Sequence, residues 1–103
     1  MDEKIKDVVS LLLYRGPDIS DLILEAINEE KEYTIEIKDG LTILKIYSAL
    51  VYDLKIADIF IYNDERQLIK QVLLIGDKEK IIFDKFQEAA YLIDNFKNTS
   101  IAS

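Results

Sequence analysis

Apolar residues recur three and four positions apart at the start of the chain: Ile5, Val8, Val9, Leu12 and Leu13, with Leu11 beside them. At about 100° per residue they cover an arc of about 200°, roughly twice the stripe of an ordinary surface helix. The spacing predicts a helix over 3–14 that is covered on more than one side. Arg15-Gly16-Pro17 ends it, because glycine accepts a left-handed C-cap geometry and proline cannot continue the hydrogen-bond ladder. Asp18 is placed to cap a second helix over about 19–31, with Asp21 in its first turn. Its inner stripe is Ile19, Leu22, Ile23, Ala26 and Ile27, and Glu25, Glu29, Glu30 and Glu32 lie on or beyond its wet side. Two helices joined by so short a break form a helical hairpin.

The period then changes from helical to alternating. Asp39-Gly40 separates Tyr33–Lys38 from Leu41–Tyr47, and such a dipeptide between alternating runs predicts a two-residue hairpin turn. That turn pairs Lys38 with Leu41, Ile37 with Thr42, Ile35 with Leu44 and Tyr33 with Ile46. The pairing puts Tyr33, Ile35, Ile37, Leu44 and Ile46 on one face and Thr34, Glu36, Lys38 and Lys45 on the other, so register and pattern agree. A bend near Tyr52-Asp53 leads to a strand over 54–62, and Asn63-Asp64-Glu65 turns the chain into a strand over 67–75 that Gly76-Asp77 ends. A short fifth strand at 80–83 brings the count from four to five. Asp84, with Gln87 three residues on, opens a capping-box pattern for a last helix to about Lys97, with the stripe Phe86, Ala89, Ala90, Ile93 and Phe96. Asn98 to Ser103 are expected to fray as a tail. The predicted fold is α+β: an N-terminal helical hairpin, an antiparallel four- to five-stranded meander and a C-terminal helix, in one domain over 1–97.

Composition bounds this outline. At 103 residues, half of them hydrophobic, the chain is long enough for one core without disulfides or metal. Area scaling predicts a folded surface of about 6,000 Å². Thirteen basic residues against twenty acidic ones leave a net charge of −7, a surface that repels phosphate backbones, so direct nucleic-acid binding is not expected. No run approaches the roughly 18 apolar residues of a membrane span, and Met1-Asp2-Glu3-Lys4 is not a basic secretory leader, so a cytoplasmic protein with no membrane partner is expected. Lysine outnumbers arginine eleven to two and cysteine is absent, a balance compatible with a thermophilic source or an A/T-rich genome.

The missing residue types exclude more chemistry than the present ones suggest. Without histidine the chain lacks the usual general base and the commonest transition-metal ligand, and without cysteine it lacks thiol catalysis and structural zinc. Glycines at 16, 40 and 76 only cannot build a phosphate-binding loop, and no GxSxG elbow surrounds a serine. Asp18 with Asp21, Glu29 with Glu30 and Asp64 with Glu65 are the carboxylate pairs; a cap, a wet helix face and a turn account for them. No cofactor or metal site is expected. Arg15 sits at a helix C-terminus, and Arg66 follows an acidic turn where Asp64 or Glu65 can pair with it.

The strands supply the remaining signal. Ile59, Phe60 and Ile61 are consecutive, as are Val72 to Ile75, where a sheet wet on one side alternates. Either helices cover both faces of the sheet or a second copy closes one of them. Tyrosine favours interfaces, where its ring packs and its hydroxyl stays wet. Tyr47, Tyr52, Phe60, Tyr62 and Leu73 are therefore the candidate interface residues. These observations predict a small acidic protein-interaction or regulatory protein without enzymatic activity, homodimeric and binding another protein. An accessory protein of a mobile element or virus is one version. Two alternatives follow from the same residues. One is a small-molecule sensor or enzyme with a pocket between sheet and helices, lined by tyrosines and a carboxylate. The other is an acidic mimic of nucleic acid that binds a basic protein.

Overall fold

A computed structural model describes residues 3–51 and 53–102. Three helices, α1 (Glu3–Leu13), α2 (Ile19–Asn28) and α3 (Lys85–Ala102), flank five strands, β1 (Glu32–Lys38), β2 (Leu41–Val51), β3 (Leu54–Tyr62), β4 (Leu68–Ile75) and β5 (Lys78–Asp84). The strands form one antiparallel meander in the order β1-β2-β3-β4-β5, so the expected α+β order of elements holds with the fifth strand present, but α1 packs against α3 rather than pairing with α2 as a helical hairpin. The register at the first hairpin is the expected one, with Lys38 opposite Leu41, Ile35 opposite Leu44 and Tyr33 opposite Ile46. Val51 opposite Leu54 places the next bend at 52–53; Asp53 is left-handed there, and Tyr52 lies outside the described residues.

Helix ends depart from expectation for local reasons. The second helix stops at Asn28 rather than near residue 31. Glu30 takes φ 56°, and the amides of Glu30 and Lys31 donate to the carbonyls of Ile27 and Ala26. That is a Schellman stop built without glycine, so the sequence carried no sign of it. Lys31 then bonds Glu29 at 2.7 Å, and this bond raises the ammonium pKa above its ordinary value. The last helix runs to Ala102 instead of ending near Lys97, since no glycine or proline stands in its way. Asp18 and Asp84 cap as expected, Asp18 Oδ1 accepting from the Ser20 amide and Asp84 Oδ1 from the amides of Phe86 and Gln87. The side chains of Ile5 and Phe96 lie outside the described residues.

Cross-strand pairing assigns the two faces of the sheet. Leu44, Ile46, Phe60, Tyr62 and Leu68 share one face and make the core with Ala26, while Ile19, Leu22 and Ile23 of α2 lie against them. On the other face Ala57 and Val72 are buried by larger neighbours, and Ile43, Ile59, Ile61 and Leu74 are half-buried. The helices leave this second face to solvent: α2 lies on the first face, and α1 packs on α3. Helices on both faces, one of the two sequence-based expectations, are therefore not what is found.

The α1/α3 pair leaves the sheet at the corner where β4 starts and β5 ends. There the Leu68 amide donates to the Arg15 carbonyl, and Tyr14 meets Phe83 edge-on at 5.6 Å. Principal extents of 53 × 29 × 25 Å and a radius of gyration of 16.8 Å follow, against about 13 Å for a compact chain of this length.

Candidate functional site

Three features stand out once the elements are in place: the corner that carries the arm, the arm itself, and the free edge of β1. At the corner, Lys85 is buried at 3% exposure, and its ammonium donates to the Tyr14 carbonyl at 3.2 Å and to Gln67 Oε1 at 3.3 Å. Burial lowers its pKa below the usual lysine value, against a raising pull from Glu65. Gln67 is held in turn by Asn63 Nδ2, while Asn63 Oδ1 accepts from the amides of Glu65 and Gln67. Asn63 thus organises the turn, and Lys85 ties it to the end of α1. The ammonium is held by two neutral acceptors, which tie the start of α3 to the end of α1 and to the turn.

The arm is two antiparallel helices, since Tyr14 just beyond α1 meets Lys85 at the start of α3. Val8 and Leu11 on α1 and Ala89 and Leu92 on α3 are the less exposed residues and mark the sides turned to each other. Val9 and Leu12 follow about 100° further round α1, and Phe86, Ala90 and Ile93 about 95° further round α3, all exposed, while the exposed Leu13 falls about 170° round, directed away from α3. Equal rotational offsets on antiparallel helices point to the same side of the layer. One broad side of the arm is therefore apolar. The opposite offset brings Asp7, Ser10, Glu88 and Tyr91 together on the other broad side. Phe86 is 63% exposed, Val9 47%, Leu12 44% and Ile93 39%. With full residue areas of roughly 150–210 Å², these side chains leave about 350 Å² of this face open, within the range of the largest patch on ordinary monomers.

The edge strand β1 is exposed along its whole length, and Tyr33, Ile35 and Ile37 on its α2 side are 37, 48 and 77% exposed. Its register with β2 is unbroken over 32–38. The other edge is guarded differently: β5 carries Lys78 and Lys80, and a register shift after Gln71 leaves Ile82 out of the pairing.

The expected interface residues do not assemble into one surface. Phe60 and Tyr62 are in the core of a single chain, beneath α2, because the pairing turns them to the helix side; burial removes both from the exterior. Tyr47 is half-buried on the helix-free face beside Glu32 and Ala57, and Leu73 is half-buried on the opposite face beside Asp58 and Lys80. Tyr52 lies outside the described residues. The first helix was expected to be covered on more than one side; α3 covers one, and Val9, Leu12 and Leu13 stay exposed because among the described residues no other element packs there.

Both arginines of the chain line one open cleft of about 300 Å³ with Gly16, Pro17, Asp18 and Ile19, and a second of about 260 Å³ adjoins it between Ser20, Thr42, Tyr62 and Asn63. Arg15 donates to the Glu65 carbonyl at 3.2 Å. Among the described residues the one ion pair is Lys31–Glu29, so Arg66 pairs with neither acid of its turn. Tyr62 donates to the Pro17 carbonyl at 2.7 Å, and burial, then Asp18 and Tyr14, push its phenol up to about 12. These volumes stand at the lower end of small-molecule site volumes. No group of three or more metal-ligating side chains occurs among the described residues, and no helix there is long and apolar enough to cross a membrane. Comparison with protein-family models, curated proteins and solved structures gives no match to this chain.

Proposed function

We propose that the protein is a non-enzymatic interaction protein that works as a homodimer and engages a second protein through the apolar side of its α1/α3 arm. The observation that carries this reading is the two-sided arm, apolar at Val9, Leu12, Phe86 and Ile93, and bearing Asp7, Ser10 and Glu88 beside an exposed Tyr91 on the other side. A layer of two antiparallel helices with one apolar side is half of a four-helix bundle, and such a layer is stable when another layer covers it. The fitting partner is a helical pair or amphipathic helix of another protein. Basic residues flanking its apolar stripe suit a chain of net charge −7.

Immobilised protein at moderate salt tests this against native extract. The wild type is expected to retain a partner in stoichiometric amount, and Leu12→Glu and Phe86→Glu are expected to lose it while keeping the wild-type circular dichroism spectrum. Absence of a stoichiometric partner, or equal retention by both variants, overturns the reading.

A further inference from the structure

We infer that two copies join through β1, edge to edge and antiparallel, with the two-fold axis at Ile35, so that the two five-stranded meanders become one continuous sheet. The inference rests on the homodimer reading above and adds the contact and its register.

Backbone direction comes first. Lys38 and Leu41 flank a two-residue turn and exchange both hydrogen bonds. Alternation along the strand then turns the amides and carbonyls of Glu32, Thr34, Glu36 and Lys38 to β2. Those of Tyr33, Ile35 and Ile37 point out of the sheet. These three residues have a free donor and acceptor each, and they are also the ones whose large side chains stand exposed.

Two-fold pairing of the strand with itself must place outward-pointing residues opposite one another, which leaves axes at Thr34, Ile35 or Glu36. An axis at Thr34 sets Glu32 against Glu36 twice, and one at Glu36 sets that carboxylate against its own copy. Like charges directly opposite each other destabilise a ladder. An axis at Ile35 pairs all seven residues of the strand. It puts Glu32 opposite Lys38 at both ends, Tyr33 opposite Ile37, and Ile35 opposite Ile35. This register satisfies the free backbone groups, covers the exposed apolar row and joins opposite charges. The strand is self-complementary in charge, which favours a second copy over an unrelated extended segment. The lysines and bulge of β5 are what a sheet uses to refuse such pairing, and β1 has no bulge and one lysine that the pairing itself employs.

Sedimentation equilibrium at micromolar concentration tests the contact. The wild type is expected at twice 11.9 kDa. Ile35→Pro, which removes an outward-facing amide and leaves the β1–β2 ladder intact, is expected to be a folded monomer by circular dichroism. Lys38→Glu is expected to weaken the dimer about tenfold, since both end pairs become repulsive, and Glu32→Lys in the same chain is expected to restore it to within about threefold. A wild-type monomer overturns both the homodimer reading and this contact. A wild-type dimer that Ile35→Pro leaves intact, or that the double exchange fails to restore, overturns the contact alone and leaves the homodimer to another surface.

Discussion

Gly16 shows how narrowly one position can be specified. Its φ is +75°, where an L-residue is strained, and a Cβ built on it would stand 2.5 Å from Leu68 Cβ, itself part of a fully buried side chain. The chain passes so close because the Arg15 carbonyl receives the Leu68 amide next door. Gly16→Ala therefore meets both a left-handed backbone and an overlap that the core cannot yield to. It is expected to cost about 2–4 kcal/mol, measured by urea unfolding. Tyr62 carries a second specific role, its hydroxyl anchoring Pro17 from beneath α2. Burial raises its pKa to about 12 against an ordinary 10, so the folded state keeps its proton longer than the unfolded state. The stability this contributes is complete below about pH 10 and is lost as pH rises towards 12. Absorbance titration of tyrosinate is expected to show a late phenol that is absent in Tyr62→Phe, which also loses about 1 kcal/mol with the hydrogen bond.

Lys85 decides how two elements sit together. It begins α3 yet binds the end of α1 through Tyr14 and the Asn63–Gln67 turn through Gln67, so three segments meet on one ammonium. Lys85→Met keeps the apolar stem, removes the donor to the Tyr14 carbonyl, and leaves Gln67 Oε1 with Asn63 Nδ2 alone. A cost of about 1–3 kcal/mol is expected, and amide exchange is expected to quicken in α1 and α3 before it does in the sheet. Elements were legible in the sequence to different degrees. The Asp39-Gly40 hairpin announced its turn and its register, because the turn type and the alternation impose the same pairing. The end of α2 was not legible: Glu30 takes a conformation that sequence reserves for glycine or asparagine. Of the candidate interface residues, Phe60 and Tyr62 were misassigned because apolar and aromatic character in a strand does not say which of two apolar faces a helix will cover.

A surface of 7636 Å² exceeds the roughly 5,900 Å² of a compact monomer of this mass by about 1,700 Å², so the excess is comparable with the area a stable complex buries. The projecting arm, the open second face and the uncovered sheet edge all add exposed surface, and the arm and the edge lie at different parts of the molecule. One can serve self-association while the other serves a partner. The most exposed apolar side chains include Phe86 and Leu13 on the arm and Ile37 on the edge, with others on α2 and β5 such as Leu24, Ile27, Ile81 and Ile82.

The order of elements, the hairpin register, both aspartate caps and the excess of apolar surface were settled along the chain itself. Each depends on neighbours a few residues apart, through turn geometry, side-chain period and local hydrogen bonds. The face that α2 covers, the departure of α1 and α3 from the sheet, the meeting of Arg15 with Arg66 and the freedom of β1 were decided by folding. Those depend on which distant surfaces exclude water from each other, and several such pairings are open to one pattern of apolar residues.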